Sequence, residues 1–102
     1  MEHLSMEEKI TLIDAVKRYG DTGQTLKAIE EMGELTQALC KLMTRTEEDC
    51  TVGMLWSHVA EEMADVYIML EQMQIIYANH DSVEDWIHWK LARLRTRLDK
   101  EG

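Results

Sequence analysis

A chain of 102 residues with 45% hydrophobic content has room for one domain with a modest core. Twenty acids against eleven bases leave a formal charge of −9, which repels phosphate backbones and excludes general binding to nucleic acid polymers. With no proline, five glycines and eight methionines, the composition favours helix over sheet and a core of flexible, unbranched side chains.

The fold class predicted is all-α, a single domain over residues 1–102, arranged as a four-helix, mostly antiparallel bundle. Ser5 and Glu8 form a capping box, and Ile10, Ile13 and Val16 follow at helical spacing. Gly20 ends this first helix, GDTG is the turn, and Asp21 with Gln24 is the next candidate cap. The second helix is expected from about Thr22 to Met43, with Leu26, Ile29, Leu35, Leu39 and Leu42 inward. Gly33 inside it costs about 1 kcal/mol relative to Ala, so a close helix contact is expected there. The polar stretch TRTEEDCTVG reads as a loop. A third helix covers roughly Met54 to Ala78, and Asn79, His80 and Asp81 break it. Ser82 and Asp85 start a fourth, which carries Trp86, Ile87, Leu91, Leu94 and Leu98. Short connections make neighbours antiparallel.

Cys40 and Cys50 have neither zinc-site spacing nor a disulfide framework, and read as ordinary thiols of a reducing cytosol. The start of the chain has no basic region followed by an apolar run, and no stretch approaches the roughly 18 apolar residues of a membrane span. A cytoplasmic chain without membrane contact is expected.

The informative feature is a pair of acidic motifs, Glu30-Glu31-Met32-Gly33-Glu34 and Glu61-Glu62-Met63-Ala64-Asp65. Residues three apart share a helix face, so Glu31 pairs with Glu34 and Glu62 with Asp65. Both pairs sit about 15 Å from the intervening loop at about 1.5 Å per residue, so an antiparallel hairpin brings them to one level. Glu62 falls inside the apolar arc of its helix, between Met69 and the pair Leu55 and Met73, and Glu31 at the edge of its own. Glu30 and Glu61 point further toward solvent. Buried like charges need a neutraliser, and oxygen-only ligands select Mg²⁺, with Mn²⁺ as substitute. The bland alternative is a set of solvated faces on a Glu-rich protein.

The pattern E-E-x-x-E followed by E-x-x-D resembles the signature of the MazG-like, all-α nucleoside triphosphate pyrophosphohydrolases. It stands here in KAIEEMGELTQAL and HVAEEMADVYIML, and the resemblance covers roughly residues 22 to 98. It implies Mg²⁺-dependent cleavage of a nucleoside triphosphate between the α and β phosphates, releasing a monophosphate and pyrophosphate. It also implies Glu31, Glu34, Glu62 and Asp65 as metal ligands and Glu30 as the residue that orients water. Phosphoribosyl-ATP pyrophosphatases share the superfamily and are the alternative hydrolase. A helical adaptor that keeps the acidic face as a binding surface is the non-catalytic alternative.

Lys27 lies between Glu34 and Glu31 on the wheel, and contacts either a phosphate or the neighbouring acids Glu30 and Glu31. Lys90, Arg93 and Arg97 share a face of the last helix. They compensate its dipole or bind the outgoing pyrophosphate. The asparagine that the family pattern places near this lysine has no counterpart there. Trp56, two turns before Glu62, is the candidate for stacking on a base, whereas Trp86 and Trp89 read as core or interface. His3, His58, His80 and His88 have no repeated zinc spacing. Ala64, Ile68 and Ile75 lie opposite the main apolar face of their helix, so a homodimer or homotetramer built around them is expected.

Overall fold

The computed structural model describes residues 3–46 and 52–102; Cys50 and the middle of the expected 44–53 loop lie outside them. The described residues form three helices and no strand: α1 Met6–Met43, α2 Val52–Tyr77 and α3 His80–Glu101. The all-α expectation holds.

Helix α1 starts as its sequence dictates. Ser5 Oγ accepts the Glu8 N–H at 3.1 Å, and Glu8 Oε1 accepts the Ser5 N–H at 2.9 Å, so two otherwise orphaned donors are satisfied reciprocally. The expected helix end at Gly20 is found as a kink at which two helical segments of α1 join without a loop. Gly20 takes φ 81 and ψ 165, a conformation open to a residue without Cβ, and the helix resumes at once. No separate loop is needed, so the first two of the four expected helices run together as the two segments of α1, on either side of Gly20. Asp21 falls within the helix, and Gln24 is used elsewhere. At the other connection, Ala78 takes φ 49 and α3 begins at His80, so Ser82 and Asp85 lie inside the helix rather than capping it.

Helices α1 and α2 form an antiparallel hairpin, and its seam has the alternating spacing of four and three that keeps two helices in register. On α1 the seam is Gln24, Ala28, Glu31, Leu35, Ala38 and Leu42; on α2 it is Leu55, Val59, Glu62, Val66 and Met69, continuing to Gln72 and Met73. Ala38, Leu42 and Val59, with Leu35 and Leu55 packed on them, make the apolar end. The opposite end is polar. Gln24 Nε2 donates to Gln72 Oε1 at 2.6 Å with both side chains buried, and the Thr25 hydroxyl meets the Tyr77 hydroxyl at 2.8 Å. Leu26, Ile29 and Leu39, expected inward, are exposed, because the seam tracks the small residues Ala28 and Ala38 on the adjoining face. A Cβ added at Gly33 would meet nothing within 4 Å, so the close contact expected there is absent.

Helix α3 does not complete a closed bundle. None of its residues is buried, and Trp86, Ile87, Leu91, Leu94 and Leu98 are exposed. The radius of gyration is 17.1 Å, against about 13 Å for a compact chain of this length. No described helix is long and apolar enough to cross a membrane.

Candidate metal centre

Between the apolar end and the amide end of the hairpin, the seam places two carboxylates in the core. Glu31 is 8% exposed and Glu62 is 7% exposed. Both occupy positions that the repeat assigns to apolar side chains, so their burial follows from the same packing that forms the hairpin. Asp65, one turn after Glu62 and half-buried, joins them. Each of the three offers a carboxylate oxygen, and these oxygens lie within 4.8 Å of one another. The level match inferred from the distance of each motif to the loop is what the structure shows for these three residues.

Glu34 is half-buried one turn from Glu31. The Glu31 carboxylate pushes the Glu34 carboxyl above its ordinary value of 4.5; desolvation, a hydrogen bond with Glu31 and the charges of Glu62 and Glu30 act in the same direction. Glu34 therefore shares the field of the cluster while lying outside its tightest trio. Glu30 is exposed and pairs with Lys27 Nζ at 3.6 Å.

Two basic side chains border the cluster, one on each helix. Lys27 Nζ lies 3.1 Å from Glu31 Oε1, and that hydrogen bond, followed by the charges of Glu30 and Glu31, raises the lysine above its ordinary value. His58 Nε2 lies 3.7 Å from Glu62 Oε1, one turn earlier on α2. These contacts leave Glu31 Oε2 and Glu62 Oε2 buried without a hydrogen-bond partner. A buried carboxylate oxygen with no donor is costly.

The donor set fits Mg²⁺ or Mn²⁺. It is all oxygen and carries a high negative charge. Oxygens sharing one Mg²⁺ at about 2.1 Å stand at most about 4.2 Å apart, so small side-chain rotations bring the trio into range. A cavity of about 600 Å³ is lined by Tyr19, Gly23, Gln24, Leu26, Lys27, Glu30 and Met69; none of the cluster's carboxylates lines it, and Lys27, which contacts Glu31, links the two.

The remaining predicted site residues are not gathered here. Trp56 is 61% exposed on α2, about 120° round the helix from Glu62. Lys90 and Arg93 lie on α3 against its own tryptophans, with Lys90 Nζ 5.9 Å from the Trp86 ring centre and Arg93 Cζ 4.8 Å from that of Trp89. Arg97 is exposed further along α3. Sequence reasoning missed Gln24, Gln72, Tyr19 and His58. The seam spacing was the available signal for the two glutamines, and the i, i+4 relation to Glu62 was the one for His58. Compared with known proteins, the chain matches no family model, no curated protein and no solved structure.

Proposed function

We propose that this chain is a Mg²⁺-dependent hydrolase of nucleoside triphosphates that releases a nucleoside monophosphate and pyrophosphate, as the motif resemblance implies. The observation that carries the reading is that Glu31 and Glu62 each keep a buried, unpartnered carboxylate oxygen and, with Asp65, bring carboxylate oxygens within 4.8 Å of one another across the hairpin. Glu31, Glu62 and Asp65 would hold the metal, and the half-buried Glu34 one turn from Glu31 would be the fourth acid of the set. A bound Mg²⁺ supplies neutralisation of the acids, open positions for phosphate oxygens and an acidified water.

The chain's own residues do the rest. Glu30, exposed at the rim and tethered to Lys27, orients the attacking water and takes its proton. Lys27, which lines the cavity and contacts Glu31, would be the group to bind a phosphate oxygen were a metal to neutralise the acids. The nucleoside occupies the cavity of about 600 Å³, with the Tyr19 ring as a stacking surface and the Gln24 amide as the polar group in its wall. Self-association and a cytoplasmic setting belong to the same proposal. Ala64 and Ile75, on the far side of α2, are exposed in the single chain, whereas Ile68, also exposed, borders a cavity of about 220 Å³ with Leu4, Glu8, Thr11 and Leu12 of the chain's own N-terminal part.

Pyrophosphate release from a panel of nucleoside triphosphates and phosphoribosyl-ATP, with and without Mg²⁺, tests the reading. Mg²⁺-dependent turnover that Glu62→Gln abolishes supports it. No release from any member overturns it, and selective turnover of phosphoribosyl-ATP replaces the substrate class.

A further inference from the structure

At the amide end of the hairpin, three buried side chains are linked by hydrogen bonds that run in one direction. Gln72 Nε2 donates to Met69 Sδ at 3.6 Å, and Gln24 Nε2 donates to Gln72 Oε1 at 2.6 Å. All three side chains belong to the buried seam. The series starts and finishes at one place, because Met69 and Gln24 both line the cavity of about 600 Å³. An amide has a donor end and an acceptor end, so fixing one link fixes the next.

The sulfur sets the direction, since a thioether accepts a hydrogen bond and cannot donate one. Turning both amides over would keep the bond between them. It would also set Gln72 Oε1 against Met69 Sδ, two electron-rich atoms at 3.6 Å. Gln72 therefore gives its nitrogen to the sulfur and its oxygen to Gln24, and Gln24 gives its nitrogen to Gln72. What remains is Gln24 Oε1. It accepts no hydrogen bond among the described residues and, unlike Glu31 Oε2 and Glu62 Oε2, it is not closed off from solvent. The wall of the cavity thus offers an acceptor whose orientation is fixed from behind.

We propose that Gln24 Oε1 reads the nucleobase by accepting a hydrogen bond from an exocyclic amino group, so that the cavity takes adenine and cytosine nucleotides and rejects their keto counterparts, hypoxanthine and uracil. Gln72 and Met69 are positioning residues that hold the amide of Gln24 in this sense. The inference rests on the proposed function for placing the nucleoside in this cavity. An exocyclic amino group projects beyond the ring and reaches the wall before the ring nitrogens do. A keto base puts an oxygen there, facing Gln24 Oε1 with no proton between them. Accommodating it means turning over two buried amides against the sulfur. A site built to hydrogen-bond one group discriminates against its unmatched analogue far more strongly than shape alone does. The spacing along α1 agrees: Gln24 stands about 10 Å before Glu31, with Lys27 between them. That distance is of the order that a nucleoside spans from the far edge of its base to its first phosphate.

ATP against ITP and CTP against UTP, each pair exchanging an amino group for a keto group, test this on the full chain. With Mg²⁺, kcat/KM should favour the amino member of each pair by at least about tenfold. The same order should appear in affinity measured with Ca²⁺ in place of Mg²⁺, and only the amino nucleotides should shift the Gln24 side-chain amide signal in heteronuclear NMR. Gln24→Leu/Gln72→Leu removes both amides and leaves neither without its partner, so the hairpin should stay folded while both ratios fall to about one. Met69→Leu keeps an apolar side chain at that position and takes away the sulfur, so the ratios should fall there too. Equal use of both members, a preference for the keto member, or a preference that survives loss of both amides overturns the proposal, and an unchanged ratio in Met69→Leu overturns the part given to the sulfur. If no nucleotide is hydrolysed but binding still follows the amino group, the proposed function falls and the reading by Gln24 stands. If none of the four binds, both fall.

Discussion

Replacing Glu62 by Gln removes one of two carboxylates buried at the same level of the seam. Their oxygens lie within 4.8 Å, a separation at which two unit charges repel by about 3.5 kcal/mol at an effective dielectric of about 20. Asp65 adds repulsion, and His58 at 3.7 Å offsets part of it when protonated. The buried Gln amide needs partners of its own, and Glu31 is an acceptor at hand. The expected balance without metal is a gain of about 1–2 kcal/mol, which for a domain of this size raises Tm by roughly 4–16 °C. With Mg²⁺ at about 100 times its Kd, the wild type should gain about 2.7 kcal/mol, and the variant should gain little because a ligand is missing. Differential scanning calorimetry at pH 7 with chelator, then with Mg²⁺, measures both changes. Loss of stability in chelator, or equal stabilisation of both proteins by Mg²⁺, would refute the reasoning: Glu62 would then be satisfied in the metal-free fold.

The pH dependence follows from Glu34. Its folded carboxyl lies above the ordinary 4.5, so between the two values the native state binds more protons than the unfolded chain. Metal-free stability should therefore fall as pH rises from 4.5 through the raised value, and Glu34→Gln should flatten that slope in urea titrations. Gln72→Leu removes the acceptor from the Gln24 amide and should cost about 1–3 kcal/mol by chemical denaturation, while Gln24→Leu/Gln72→Leu should recover most of it. Triphosphate should bind weakly without divalent metal and metal should bind more tightly with triphosphate present, because coupling between two ligands is reciprocal. Titration calorimetry showing equal affinity with and without Mg²⁺ would contradict it. Mn²⁺ should replace Mg²⁺, and Ca²⁺ should bind with little turnover, its shell being larger and looser.

The helices and the convergence of Glu31, Glu62 and Asp65 were legible because they depend on local spacing and on distance to one loop. The helical wheel put Glu62 in the core directly. It misjudged α1, where Leu26, Ile29 and Leu39 form an apolar arc stronger than the true seam of Ala28, Glu31 and Ala38. Hydrophobicity alone weights large side chains, whereas close helix approach selects small ones. Gly20 was recognised as the end of the first helix, and its non-helical φ 81 and ψ 165 do end it, but the next segment starts at once, so the expected turn takes up no loop. The position of α3 was out of reach. Its periodicity reports that one face wants cover without reporting which chain supplies it, and the antiparallel rule for short connections assumed a closed bundle.

The seam also explains why the carboxylates are where they are. Polar side chains occupy four of its core positions, and they fall into two layers with opposite outcomes. Gln24 and Gln72 satisfy each other through a hydrogen bond of 2.6 Å, which fixes the register of the hairpin as a buried polar pair does in coiled coils. Glu31 and Glu62 cannot satisfy each other, since both are acceptors when ionised, and each keeps a buried oxygen without a partner. Leucine at both positions would match the repeat and remove the repulsion, so stability alone does not account for the pair. A layer that violates the rule of its own helix, next to a layer that fixes its register, has the form of a site whose geometry is held by one set of polar residues and whose charge is left for a ligand to complete. On the proposed function that ligand is Mg²⁺. The metal-free hairpin is then weakest at the level where the metal binds, and metal affinity and folding stability draw on the same interaction.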